Sequence, residues 1–234
     1  MQAPSHRIMT ESESENPVYA GIKAMVMAHE LMPGQRIRLE PLADRLLVSN
    51  TPVREALIHL AAERLIKEVP NAGFFTKEIS ESEVRDLYIL NQLILDWSLS
   101  VVRDDGRVPG MLKPPEIFEA ASGVKTDAPV PTVQMMDELF RHISRQSGND
   151  DIVHVVGNIG ERTYYTRLKE CELFPEVPES LARLCRTYYR RDTKGLRQGL
   201  QDFHDMRLQM LPDVIRRIRQ IKQDAPCPAV PKRT

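Results

Sequence analysis

Residues 48–57 read VSNTPVREAL, the composition of a helix start built for contact. Ser49 suits an N-cap, and Pro52 falls in the first turn, where its missing N–H costs little. Arg54 follows one turn in, close enough to the positive end of the helix to meet a phosphate or a base edge. Just upstream, Leu39-Glu40-Pro41-Leu42-Ala43-Asp44-Arg45-Leu46-Leu47 carries its apolar residues at helical spacing. Two short helices across a tight turn, the second opening on small polar residues and an arginine, describe a helix-turn-helix.

The flanks extend that unit. Tyr19, Ile22, Met25, Val26 and His29 repeat at helical spacing up to the Pro33-Gly34 turn,. Residues 65–70 and 74–77 are strand-like runs around Asn71-Ala72-Gly73, a turn that needs Asn or Gly,. Three helices and a hairpin make a winged helix-turn-helix over residues 17–79. In it Ser49, Asn50, Thr51 and Arg54 are the candidates for base edges. Arg38 and Arg45 are the candidates for phosphates, and Asn71 and Gly73 for the wing tip. Arg36 and Arg64 complete the basic patch with Arg38, Arg45 and Arg54, though most of the five also read as solvated surface charges.

Residues 17–79 resemble the DNA-binding domain of the GntR family of bacterial transcription regulators. The resemblance rests on Met32-Pro33-Gly34, Leu42-Ala43, Val48-Ser49, Thr51-Pro52-Val53-Arg54-Glu55-Ala56-Leu57, Pro70 and Gly73. Two positions depart from the family pattern. Asn50 stands where an arginine is common, and Ala72 where a basic residue often precedes the wing glycine. Both changes remove a cation, which implies a different operator or weaker binding per half-site.

The 234 residues suffice for two modest domains, and 41% hydrophobic with 28% charged residues is ordinary for a globular protein,. A formal net charge of -1 argues against bulk electrostatic attachment to nucleic acid or membrane, so DNA affinity must come from a local patch doubled in a homodimer. No apolar run is long enough to span a bilayer and no signal-like segment opens the chain, so the expected compartment is cytoplasmic. Cys171, Cys185 and Cys227 lack metal-site spacing and read as buried or incidental thiols,. Residues 1–16 and 224–234 read as loose tails.

From Ser80 onward the strand signals vanish. Ser80 with Glu83 forms a capping box for a helix whose apolar face is Val84, Leu87, Leu90, Leu93, Ile94 and Trp97,. Residues 104–131 are Gly- and Pro-rich, with one short helix at 115–121. Helices are expected at about 132–147, 150–173, 178–191 and 193–222, the last bent or interrupted at Pro212. The fold class is mostly α: an N-terminal winged helix-turn-helix plus an all-helical C-terminal bundle over residues 80–223, of a size to enclose a ligand.

A GntR-type head with a helical body resembles the FCD subfamily, named for the FadR C-terminal domain. Asp137-Glu138-Leu139-Phe140, Ser147-Gly148-Asn149 and the turn at Asp192 carry that likeness. It implies dimerisation, a small effector that is commonly a carboxylate, and in many members a divalent metal held by one Asp and three His. The expected histidines fall at Arg141, Leu181 and Phe203 instead. His204 is one residue off, a rotation of roughly 100° on a helix, while His142 and His154 have no helical partner. The reading is therefore no metal and no cofactor. Asn91 and Leu95 stand where the subfamily usually has Arg and Glu.

Four residues are the effector candidates. Arg141 lies one turn from Asp137; the two either hold an anionic metabolite directly or form a plain surface salt bridge. Along residues 150–173 an apolar stripe of Ile152, Val155, Val156 and Ile159 turns into Thr163, Thr166, Arg167 and Glu170. That change means either a polar cavity, with Thr163 and Arg167 as contacts, or emergence into solvent or a dimer interface. The function expected is a ligand-responsive repressor that binds a double-stranded DNA operator as a homodimer. The alternatives are a winged-helix protein-interaction module and a metal-dependent helical sensor. No Walker loop, HExxH or GxSxG motif is present, so no enzyme is expected.

Overall fold

The computed structural model describes residues 16–101 and 129–224. The chain divides into two compact units, one ending at Glu78 and the other beginning at Ile79.

In the first unit α1 (Pro17–Met27) is capped by Asn16, whose Oδ1 accepts from the amides of Val18 and Tyr19. Helices α2 (Leu39–Leu46) and α3 (Asn50–Ala62) follow, then β1 (Ile66–Val69) and β2 (Gly73–Thr76). The strands pair antiparallel with Val69 opposite Gly73, and Arg36 bridges to Phe75 on the outer side. Ile22, Leu42, Val53, Leu57, Leu60, Ile66 and Phe74 close the core, so the amphipathic faces of all three helices and the hairpin meet in one cluster,. Thr76 anchors the base of the hairpin, donating its hydroxyl to the Met32 carbonyl at 2.6 Å.

The second unit is helical: α4 (Glu81–Ser100), α5 (Pro129–Arg145), α6 (Asp150–Leu173), α7 (Glu176–Tyr189) and α8 (Thr193–Asp224). Ser80 caps α4 through the Glu83 amide, while the Glu83 carboxylate pairs with Arg162 at 2.6 Å. Leu95, Met136, Leu139, Ile143, Leu181 and Phe203 form the core, and a second cluster gathers Val84, Tyr88, Leu211 and Ile215.

The structure corrects three expectations. Helix α8 is not interrupted at Pro212, and Leu211, Val214 and Ile215 around it are buried. Helix α5 begins at Pro129, earlier than its apolar stripe suggests. On α4 the buried face is Val84, Leu87, Tyr88, Asn91, Leu95 and Ser98, whereas Leu90, Leu93 and Trp97 are exposed. The helix expected at 115–121, Cys227 and the tails at 1–15 and 225–234 lie outside the described residues.

The turn between α2 and α3 passes through Leu47 at φ 57°, in the left-handed region, with 92% of its surface exposed. A branched residue gains nothing from packing there and bears a penalty of roughly 1–2 kcal/mol, of which Gly would give back part in chain entropy. Leu47→Gly is expected to stabilise this unit by about 0.5–1 kcal/mol, read as a raised urea midpoint; a lowered midpoint would count against that reading of the turn.

Candidate functional site

The amino-terminal unit presents α3 end-on. Ser49 stands at the N-cap with extended backbone, but its hydroxyl makes no capping hydrogen bond. The first amides of α3 are therefore not met by Ser49, the arrangement that receives a phosphate at a helix start. Ser49, Asn50, Thr51 and Arg54 are all exposed along this start. Arg38 is exposed at the beginning of α2, where its side chain makes no cap. Arg45 donates to Glu30 at 2.7 Å, an exposed pair that a phosphate can displace at small cost,.

The hairpin turn is made by Asn71 and Gly73, at φ 61° and 94°, so the wing tip takes its shape from two residues that tolerate the left-handed region. A Cβ built on Gly73 would lie 3.6 Å from Arg36 Nη2. The Arg36 guanidinium thus lies over the wing turn, beside the position where Ala72 fails to supply a cation. Sequence reasoning counted Arg36 in the basic patch but not among the individual DNA contacts. Long-range pairing brings it to the wing: its bridge to Phe75 and the hydrogen bonds of Gln35 and Ile37 to Thr76 and Phe74.

In the helical unit the polar half of α6 turns inward. Thr163, Thr166, Arg167 and Glu170 are all buried, which rules out the expectation that this half emerges into solvent. Glu170 Oε2 accepts from Arg207 Nε at 2.8 Å and its Oε1 from the Tyr88 hydroxyl at 2.6 Å. The Arg207 guanidinium also lies 3.8 Å from the Tyr88 ring centroid, within cation–π range. Burial pushes the Tyr88 phenol well above its usual range, so it is a neutral donor here.

Asp137 does not pair with Arg141. Its Oδ1 forms an ion pair with Arg167, 2.7 Å from Nη2, while the same nitrogen donates to the Gly160 carbonyl. Arg141 instead approaches Gly157. Thr163 spends its hydroxyl proton on the Ile159 carbonyl at 2.7 Å. A cavity of about 10 Å³ remains between α4, α5, α6 and α8, lined by Tyr88, Asn91, Phe140, Ile159, Gly160, Thr163, Arg167 and Arg207. Of the four sequence candidates, Thr163 and Arg167 line it, Asp137 adjoins it through Arg167, and Arg141 stands apart. Sequence reasoning missed Tyr88, Asn91 and Arg207 as parts of this site; Arg207 carried a signal, a charge on the inward face of an apolar stripe.

The metal set implied by the subfamily resemblance does not fit. Arg141, Leu181 and Phe203 stand at the histidine positions, and neither a guanidinium nor hydrocarbon offers a lone pair to a cation. Asp137 is already engaged by a guanidinium. Among the described residues no three His, Cys, Asp or Glu side chains converge. His142 is buried against Tyr188, His154 is exposed, and His204 is stacked on Phe140. Burial raises the Cys171 and Cys185 thiols to about 12, so both are poor nucleophiles,.

His204 is wholly buried, with Nδ1 2.8 Å from the Leu200 carbonyl and Nε2 3.2 Å from Asn91 Nδ2. Burial first, then the Arg207 charge, lowers its pKa to about 3. The unfolded chain takes up a proton below about pH 6.5 while the folded chain resists it, so stability present above pH 6.5 is lost as pH falls toward 3. Between pH 6.5 and 5, before most carboxylates titrate, the unfolding free energy of wild type should fall more steeply than that of His204→Gln. Equal slopes in urea titrations would show that His204 is not the responsible group.

Residues 15–76 match the profile of bacterial regulatory proteins of the gntR family. The chain is 28% identical over 155 residues to the Nta operon transcriptional regulator of Aminobacter aminovorans, covering 61% of this chain and 68% of that protein. It is 31% identical over 70 residues to the transcriptional repressor GlaR of Escherichia coli K12, a match spanning 30% of this chain and 32% of that one. Among solved structures, a GntR transcriptional regulator from Rhodococcus sp. RHA1 superposes with a TM-score of 0.68 at 14% identity, over 86% of this chain and 98% of that one. E. coli McbR/YncC gives 0.61 at 19% identity, over 88% and 99%; at such identities these two likenesses speak for the fold. Residues 15–76 thus carry the DNA-binding domain of the gntR family of bacterial regulatory proteins, and the relatives that the chain resembles are named as transcriptional regulators.

Proposed function

We propose that the chain is a ligand-responsive repressor acting as a homodimer in the cytoplasm, its helical unit binding a small anionic metabolite. The observation that carries the ligand reading is the pair of buried guanidiniums, Arg167 and Arg207, each with an N–H that no protein atom accepts. Buried donors are ordinarily satisfied, and two cationic ones around one cavity suit an anion. Ligand and operator are linked by one coupling free energy: an effector that weakens operator binding binds the DNA-free protein better by the same factor.

Pairing is supported by α4. Ile89, Leu90, Leu93 and Trp97 form a continuous apolar strip, 41–62% exposed residue by residue, on a helix that a second copy can cover. A dimer gives two α3 helices, able to enter major grooves about 34 Å apart on sites one helical turn apart. Net charge near zero makes such doubling the natural source of affinity.

The deciding experiment is binding to DNA flanking the protein's own gene, titrated with salt, with and without small carboxylates. A sequence-preferring complex that weakens with salt and responds to a carboxylate supports the reading; indifference to sequence removes it. Arg54→Ala should cost about 1–3 kcal/mol of operator affinity and relax specificity locally, whereas Arg36→Ala should weaken binding across sequences and lower the salt slope by about 1. Trp97→Asp should sediment as a monomer, and a retained dimer would place the pairing surface elsewhere.

A further inference from the structure

The cavity between α4, α5, α6 and α8 has a more specific chemistry, which rests on the effector-binding reading above. Asn91, Arg167 and Arg207 line it with 3, 2 and 1% of their surfaces exposed. Each has one polar atom without a hydrogen-bond partner: Asn91 Oδ1, Arg167 Nε and Arg207 Nη2. The Asn91 orientation is fixed by its neighbour. His204 Nδ1 lies against the Leu200 carbonyl and must carry the imidazole proton, so Nε2 accepts and Asn91 Nδ2 donates to it,. The free Asn91 atom is therefore an acceptor, on a residue that lines the same cavity as the two arginines with a free donor.

The charges around the cavity already balance, Arg167 and Arg207 against Asp137 and Glu170. Glu170 is fully buried and held by Arg207 and Tyr88. Asp137 differs: its side chain is 32% exposed and pairs with Arg167. An incoming carboxylate keeps the balance by taking the place of Asp137 on Arg167 while Asp137 turns to water. Only one charge can be exchanged in this way. At about 10 Å³ the cavity is on the scale of one water,, so admission requires a side chain to move, and the same one serves. Gly160 lies directly beneath: a Cβ there would come 2.6 Å from Asp137 Oδ1, so departure of the carboxylate opens space over bare backbone next to the cavity.

We propose that this cavity is the site of a small monocarboxylate bearing a hydroxyl on the carbon next to the carboxylate, and that Asp137 closes it as an internal stand-in until the ligand displaces it. The ligand carboxylate accepts from Arg167 and Arg207, and its hydroxyl donates to Asn91 Oδ1. No bond is made or broken; one carboxylate replaces another.

The test uses full-length protein, calorimetry and thermal shift, with 2-hydroxypropanoate and propanoate as probes. Wild type should bind the hydroxy acid about tenfold or more tightly than propanoate, because the analogue leaves the Asn91 acceptor unpaired. Asp137→Asn, a change at a part-exposed position, should tighten both acids, and Asn91→Leu should erase the preference between them. Equal binding of the two acids, or an Asp137→Asn protein that binds no tighter, overturns the proposal and leaves the broader effector reading standing. Neither acid binding to either protein overturns both. The wild-type comparison needs no substitution in the core.

Discussion

An arginine and a glutamate held away from water tie the helical unit together. Glu170 on α6 takes Arg207 from α8 and the Tyr88 hydroxyl from α4, so one carboxylate fixes three helices. Stripping solvent from two such charges costs several kcal/mol each, and their attraction offsets it only in good geometry with the remaining lone pairs satisfied. Glu170 meets that condition with a bond on each oxygen. An apolar trio of similar volume would give comparable stability without requiring any particular rotation of the helices. The charged version defines the register of α6 against α8, and it places a guanidinium in the interior with an N–H left over.

How far this could be read from sequence depends on the range of the interaction. The winged helix is written locally: Pro33-Gly34 ends one element, Ser49 and Pro52 start another, and Asn71 and Gly73 set a turn whose geometry few residues tolerate. Helix periods in the second unit are equally local, and most of its helices fall where periodicity puts them. Partner choice is not local. Nothing in the spacing of Asp137 and Arg141 reveals that Arg167, from the next helix, will take the carboxylate. On α4 the apolar residues cover more than one face, and periodicity does not say which face the same chain buries. Thr163, Thr166, Arg167 and Glu170 were visible as a polar continuation of an apolar stripe, but whether that stripe points in or out is decided by Tyr88 and Arg207 on other helices.

The amino-terminal unit shows the same division. A chain with net charge of -1 has to concentrate its cations, and two positions where a related protein would carry one hold Asn50 and Ala72. Arg36, remote in sequence, is carried onto the wing turn by its bridge to Phe75 and lies against Gly73. A cation thus reaches the wing turn from a remote position, and the smallness of Gly73 leaves room for it. At Asn50, a short amide that both donates and accepts can read a base edge as well as a phosphate.

The bare start of α3 has a thermodynamic consequence. Because the Ser49 hydroxyl makes no capping bond, the leading turn depends for its order on Val53 and Leu57 behind it and on whatever acceptor arrives in front. A phosphate oxygen seated there would act as the missing cap, worth about a kilocalorie per mole in ordinary helices. Operator recognition and the ordering of that turn would then be one linked process, with part of the observed affinity reporting on local helix formation.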